Sequence, residues 1–214
     1  MYVGDPDTEP ERWFVEGGPL GILDFPKPKN IFPEYTNAEA STDPHMLLTT
    51  SAEESRSNAE RDTDAIKEMN SMVRRGWIKR FWSKVRAKAF VKGRLIYSKL
   101  IVVTKDKLKK TQDGTMKRSI KKRLILNLKK SGVTAASRKT ERPELPRVLD
   151  VVLAILTMMS TRTRSGAKVR QLVLDFRNAF FHFPVKAEER RFFATTLNRM
   201  TYVWLRAVQG SRGA

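Results

Sequence analysis

Residues 173–185 read VLDFRNAFFHFPV. An apolar run leads into a single acid, Asp175, and a cluster of aromatic rings follows it. An isolated carboxylate at the end of an apolar strand costs free energy if it is buried without a cation. Two readings fit it. Asp175 caps a turn or pairs with one of the many arginines, or it is a hard oxygen ligand for Mg²⁺, a metal that needs only one or two protein carboxylates besides phosphate oxygens. Five residues on stands Phe180, between small Ala179 and a second ring, Phe181. A flat ring held at a fixed distance beyond a metal-binding carboxylate can floor a sugar pocket and exclude a ribose 2′-hydroxyl by filling its volume. Core packing is the competing role, and it suits Phe181 and Phe183.

Working outward, apolar runs bounded by short polar turns predict strands at Val169–Phe176, Phe180–Val185, Arg191–Leu197 and Tyr202–Leu205. Upstream, Leu145–Met159 (LPRVLDVVLAILTMM) predicts a helix, with Pro146 in its first turn and Val148, Val152, Ile155 and Met159 on one face. Leu95–Thr104 and Arg123–Leu128 read as strands, and a Lys-rich connection carrying Asp113-Gly114 joins them as a long hairpin. Ile66, Met69, Met72 and Val73 recur at helical spacing, and Gly76 stands where a left-handed cap belongs. Between these lies Trp77–Trp82 (WIKRFW), where rings and cations interleave: a core element, or a surface that stacks on and clamps a template strand. The fold class is α+β, a basic hairpin and helices followed by an antiparallel meander.

The 214 residues hold 42 Lys and Arg against 23 Asp and Glu, a net charge of +19, which favours a polyanionic partner. The charge is uneven. Residues 1–60 carry four basic side chains (Arg12, Lys27, Lys29, Arg56) and twelve acidic ones, while residues 61–214 carry thirty-eight and eleven. Seven of the ten prolines fall in the first 50 residues, so residues 1–56 read as an acidic, largely irregular leader, with Trp13–Phe14 or Ile31–Phe32 available for docking. Zero cysteines exclude disulfides, zinc knuckles and thiol catalysis. Two histidines, His45 and His182, stand too far apart in sequence to suggest a multi-histidine metal site. No apolar run is long enough to span a bilayer and no targeting signal opens the chain, so the expectation is an intracellular protein, cytoplasmic or nuclear, with no membrane partner.

VLDFRNAFFHFPVKAEERRFFA resembles the first catalytic motif of reverse transcriptases: an apolar strand, the metal-binding acid, then Ala-Phe at the sugar-gate position. Further segments resemble that family in the same order: KKRLILNLKKSGVT the fingers segment, LPRVLDVVLAILTMM the helix after it, and YVWLRAVQGSRGA the approach to a Gln-Gly motif. The likeness spans roughly residues 60–214 and is nearest in style to retroelement enzymes. It implies a right-hand polymerase: fingers over 57–165, and over 166–214 the first part of a palm whose antiparallel sheet packs on helices. By this resemblance Asp175, with Phe176, holds Mg²⁺ (two ions in the complete enzyme, with Mn²⁺ as an alternative). Arg123 grips the incoming deoxynucleoside triphosphate with Lys105 or Lys107 as a second phosphate contact, Ala179 and Phe180 gate the sugar, and Gln209 and Gly210 pack beneath the nucleotide. The implied partners are an RNA or DNA template-primer and deoxynucleoside triphosphates. Taken singly, each hairpin lysine also fits a solvated basic loop or a localisation signal.

Three positions depart from the family pattern. Lys122 and Asn127 replace a tryptophan and an aspartate around the gripping arginine, and Asn178 stands where a second acid is sometimes found. More seriously, two-metal nucleotidyl transfer needs further carboxylates, supplied in the family by a Tyr-x-Asp-Asp hairpin, and no Asp-Asp pair occurs in this sequence. The expectation is therefore a polymerase portion incomplete at its C-terminus and inactive alone. The alternative is a non-catalytic basic domain that binds nucleic acid.

Overall fold

The computed structural model describes residues 9–24, 27–28, 33–34, 58–110, 113–141, 147–160 and 178–208. Helix α1 covers Glu9–Glu16. After a 3-10 turn at Asn58–Arg61, helix α2 covers Thr63–Arg74. Asp62 starts it: its carboxylate accepts from the backbone N–H of Asp64 (3.0 Å) and of Ala65 (3.1 Å), donors with no partner inside the helix. The helix stops where the sequence predicts. Trp77 N–H donates to Met72 O and Gly76 N–H to Val73 O, with Gly76 at φ +70°, a paired closure that needs the left-handed glycine. Ala65, Met69 and Met72 form its buried stripe.

Strand β1 is Ile78–Phe81, and helix α3, absent from the sequence expectation, is Lys84–Val91. Ser83 caps α3 through its hydroxyl, which accepts from Val85 N–H (3.2 Å), and only Ala87 and Val91 are buried. Strands β2 (Lys99–Lys110) and β3 (Met116–Asn127) pair antiparallel from Lys99↔Asn127 to Lys110↔Met116. The Lys-rich connection is thus mostly strand, and Asp113-Gly114 sits in the turn, with Gly114 at φ +84°. Residues 95–98 lie outside the hairpin. Ile96 and Ser98 donate to Arg191 O (2.9 Å) and Ala194 O (2.8 Å), tying the hairpin base to the second sheet.

That sheet is antiparallel in the order β1–β5–β4, with β4 at Ala194–Leu197 and β5 at Met200–Trp204. Asn198 and Arg199, at φ +50° and +63°, make the two-residue turn between β4 and β5, whose twist matches that of paired strands. On β5, Tyr202 and Trp204 join the main core with α2, Leu100 and Leu126, while Val203 faces a smaller cluster of Phe81, Ala87, Val91 and Leu95. The central strand is buried on both sides. The architecture is mixed helix and antiparallel strand, as the α+β expectation has it.

Several elements differ from expectation. Residues 180–185 are not a strand: Ala179–His182 is a 3-10 turn, followed by single bridges at Pro184 and Val185. Asn178 enters it at φ +61°, and Pro184 has no N–H to donate to a ladder. The strand expected from Arg191 begins only at Ala194, because Ala187–Phe192 forms a 3-10 turn that carries Glu189 inward. The strand expected at 169–176 lies outside the described residues. Helix α4 is Val133–Ala136, and helix α5 is Val148–Ser160, where a helix is expected. None of the residues of α5 is buried, so the face of Val148, Val152, Ile155 and Met159 packs into neither core cluster. Among the described residues no helix is long and apolar enough to cross a membrane.

Part of the leader is integral to the fold. Leu20 and Ile22 are buried in the main core, and residues 17–24 run as a strap against 184–186: Gly18 N–H donates to Pro184 O (2.9 Å) and Lys186 N–H to Gly18 O (3.1 Å). Ile31–Phe32, the other proposed docking pair, lies outside the described residues.

Candidate functional site

The hairpin builds a one-sided cationic surface. Opposed residues in an antiparallel pair project to the same side, and neighbours along a strand alternate. Leu100↔Leu126 and Val102↔Leu124 point to the core, so Val103↔Arg123 and Lys105↔Lys121 belong to the opposite side. Arg123 and Lys105 are therefore diagonal neighbours, both exposed, at a spacing within reach of long side chains. Farther out on this side, register positions 107 and 109 face 119 and 117, and the four hold three lysines and one serine. The one acid of the two strands, Asp106, belongs to the other side and is held there by Arg118.

Lys122, also on the other side, sets the hairpin against α2. Its ammonium donates to both Asp62 carboxylate oxygens (3.1 and 2.9 Å) and pairs with Asp64 at 2.9 Å. The hydrogen bonds to Asp64 and then Asp62 raise the Lys122 pKa, and Lys122 followed by the Ala65 amide lowers that of Asp62. The lysine that departs from the family pattern has a structural task of its own.

The 3-10 turn at Ala179–His182 and the residue that follows it send three phenylalanine rings to three places. Phe181 stacks on Trp77 (centroids 4.4 Å apart, planes 7° off parallel) and closes onto the main core. Phe183 stacks on Phe14 of α1 at 5.0 Å rather than entering the core, and stays 42% exposed. Phe180, with Ala179, lines a cavity of about 320 Å³ whose other walls include Trp13 of α1 and Pro19 and Leu20 of the strap. The wall is largely apolar, suited to a flat ring or sugar face rather than to a charged group.

The strap is held by an arrangement the sequence does not announce. Glu189 is fully buried. One carboxylate oxygen accepts from the backbone N–H of Ile22 (2.9 Å), Leu23 (2.8 Å) and Asp24 (3.2 Å), and the other from Leu20 N–H. Four oriented amides supply what a buried carboxylate requires. Lys186 pairs with Asp24 at the outer edge, which raises the lysine pKa. Gly21 passes at φ +77° so close to Arg138 that an added Cβ would lie 2.0 Å from the Arg138 carbonyl oxygen. Arg190, half-buried, donates from Nε to Val185 O (2.9 Å), and burial lowers its pKa.

The structure thus groups the expected site residues in two places: Arg123 with Lys105 on the hairpin, and Ala179 with Phe180 on the cavity wall. Asp175, Phe176, Gln209 and Gly210 lie outside the described residues, as does the side chain of Lys107. Among the described residues no group of three or more His, Cys, Asp or Glu could hold a metal ion. The residues that sequence reasoning missed are Glu189, which stands between Glu188 and Arg190 in a charged run that hides its burial, and the Asp62–Lys122–Asp64 triad, which local sequence does not mark.

No protein-family model matches the chain, and no curated protein matches it. Among solved structures it has a distant likeness to the foamy viral protease-reverse transcriptase in complex with dsDNA, at 14% identity and a TM-score of 0.41. The likeness covers 98% of this chain and spans 40% of the length of that one.

Proposed function

We propose that this chain is the fingers and first palm portion of a reverse-transcriptase-like, RNA-directed DNA polymerase of retroelement type. It binds an RNA or DNA template-primer and a deoxynucleoside triphosphate. The observation that carries the reading is the β2–β3 register, which makes Arg123 and Lys105 diagonal neighbours on a side of the hairpin without acids. Arg123 offers a planar fork for two phosphate oxygens and Lys105 a mobile point charge beside it. Phe180, on the apolar cavity wall, limits the sugar, and Gln209 and Gly210 lie beneath the nucleotide. The Asp175 carboxylate has the hard-oxygen chemistry that suits Mg²⁺ or Mn²⁺, with Phe176 beside it. A bound Mg²⁺ would neutralise the phosphate oxygens of the nucleotide. With one such acid and no Asp-Asp pair, these 214 residues bind the substrates of nucleotidyl transfer and do not by themselves complete it.

The test is the salt dependence of primer-template binding by the full chain. Each phosphate contact contributes about one counterion to the slope of log affinity against log salt. Arg123→Ala and Lys105→Ala should each flatten that slope by about one. Slopes unchanged in both variants would remove the hairpin from the interface and leave a basic domain that binds elsewhere.

A further inference from the structure

The direction of the Phe180 ring is tied to a stack that Phe180 itself does not join. In a 3-10 turn, neighbouring side chains stand about 120° apart and those three residues apart eclipse one another. Where one ring of Ala179–His182 points therefore sets where the next one points. Phe180 and Phe183, three apart, both line the cavity, while Phe181 between them turns onto Trp77. The Trp77 residue is held independently of that contact. Its backbone N–H donates to Met72 O (3.0 Å) in the closure of α2, and its carbonyl accepts from Leu205 N–H (2.8 Å) just beyond β5. Its indole packs against the main core, with the Arg75 guanidinium 4.8 Å from the ring centroid. The other ring contact of this segment is looser: Phe14, on Phe183, is 52% exposed and belongs to a helix with no buried residue among those described.

The Trp77 and Phe181 rings lie 4.4 Å apart with planes 7° off parallel. Faces so nearly parallel resist tilting, because a tilt drives the edge of one ring into the other. The stack thus stops the turn from rotating about its own axis, and that rotation is the motion that would carry Phe180 out of the cavity. We propose that Trp77 is a positioning residue for Phe180: by fixing the rotation of the turn it sets how far the Phe180 ring enters the cavity, and so how strongly a sugar 2′-hydroxyl is refused. This rests on the assignment of Phe180 to the sugar in the polymerase proposal, and adds to it a residue that lies outside the cavity wall.

The test is the ratio of affinities of the full chain for thymidine and uridine triphosphates methylated alike at C5, with Mg²⁺, so that the two nucleotides differ only at the 2′ position. Trp77→Leu keeps apolar bulk but removes the flat face, and should lower the ratio about tenfold, the lower end of what shape discriminates. The change should come from tighter binding of the ribonucleotide; a general loosening of the fold would weaken both sugars alike. Phe181→Leu removes the other face of the same stack and should reproduce the effect, so the test does not depend on one variant folding. Trp77→Phe restores a flat ring and should keep most of the ratio. In a Phe180→Ala background Trp77→Leu should lower the ratio no further, because the two residues act through one ring. Phe180→Ala lowering the ratio while Trp77→Leu and Phe181→Leu leave it at the wild-type value would overturn the positioning role and retain the polymerase proposal, as would equal losses of affinity for both sugars. A ratio that Phe180→Ala itself leaves unaltered would remove the sugar assignment, and the positioning role with it.

Discussion

The Lys122 ammonium lies 2.9 Å from Asp62 Oδ2 and 2.9 Å from Asp64, joining the middle of β3 to the start of a helix sixty residues earlier. The Asp62 carboxylate also caps that helix, so one acid ties the first turn of α2 to the side of the hairpin opposite Arg123. The surface that carries Arg123 and Lys105 is thereby held to the body of the protein.

This contact gives a defined pH dependence. Asp62 is depressed, so its contribution is complete above the ordinary 3.8 and is lost as pH falls through its folded value. Lys122 is raised, so its contribution is complete below the ordinary 10.5 and is lost as pH rises through its folded value. Lys122→Met should therefore lower the thermal midpoint by a small, constant amount across the neutral range, and the difference should shrink toward both extremes. Because Lys122 and Asp64 are exposed and Asp62 is only partly buried, high salt should also shrink it. Calorimetry over a pH and salt series reads this directly, and a difference that persists undiminished in strong acid would contradict it.

Glu189→Ala should be among the most damaging single changes in the protein. It leaves the N–H groups of Leu20, Ile22, Leu23 and Asp24 without their acceptor. With burial of the first two, the cost is about 2–4 kcal/mol. Glu189→Gln keeps one acceptor oxygen but turns a donor toward the strap, and should cost about half as much. Urea melts measure both, and limited proteolysis should cut the leader first in each.

What the sequence made legible and what it hid divide on physical grounds. Helix α2 could be read because its signals are local: a stripe at helical spacing and a stop glycine. The hairpin turn announced itself through Asp113-Gly114, and the parity of its strands makes Arg123 and Lys105 neighbours once the register is known. Helix α3 leaves little trace in the sequence because it buries only Ala87 and Val91, too little pattern to mark it. The strap reads as irregular leader in the sequence because its acceptor, Glu189, lies 165 or more residues away, and a short Leu20–Ile22 alternation does not reveal a partner at that distance. Residues 180–185 read as a strand on apolar content, while the positive φ at Asn178 and the missing donor at Pro184 decided otherwise.

Gly21→Ala should be destabilising by more than about 2 kcal/mol. The residue occupies the left-handed region, and its new Cβ would meet the Arg138 carbonyl at 2.0 Å, so the strap has to move. Gly114→Ala is the control: its φ is also positive, but nothing lies within 4 Å of the added Cβ, so only the backbone strain of about 1 kcal/mol is expected. Denaturant midpoints of equal size for the two would show that the strap does not pass where it is placed.

Phe180→Ala enlarges the cavity where a sugar 2′-hydroxyl would be refused. If the polymerase proposal holds, the preference for deoxynucleoside over ribonucleoside triphosphates that it assigns to the chain should fall roughly 10–100-fold, the range over which shape alone discriminates such groups. Competition binding measures the ratio, and an unaltered ratio would return Phe180 to a packing role.

The most direct measurement is the affinity of the full chain for a deoxynucleoside triphosphate with Mg²⁺, determined by calorimetry for the wild type, Arg123→Ala and Asp175→Ala. A charge-assisted phosphate contact is worth about 1.5–3 kcal/mol, so each substitution should weaken binding at least about tenfold, with the Asp175 effect vanishing when Mg²⁺ is withheld. Wild-type nucleotide affinity in both variants, with binding to RNA and DNA intact, would contradict the proposal and leave a basic nucleic-acid-binding domain in its place.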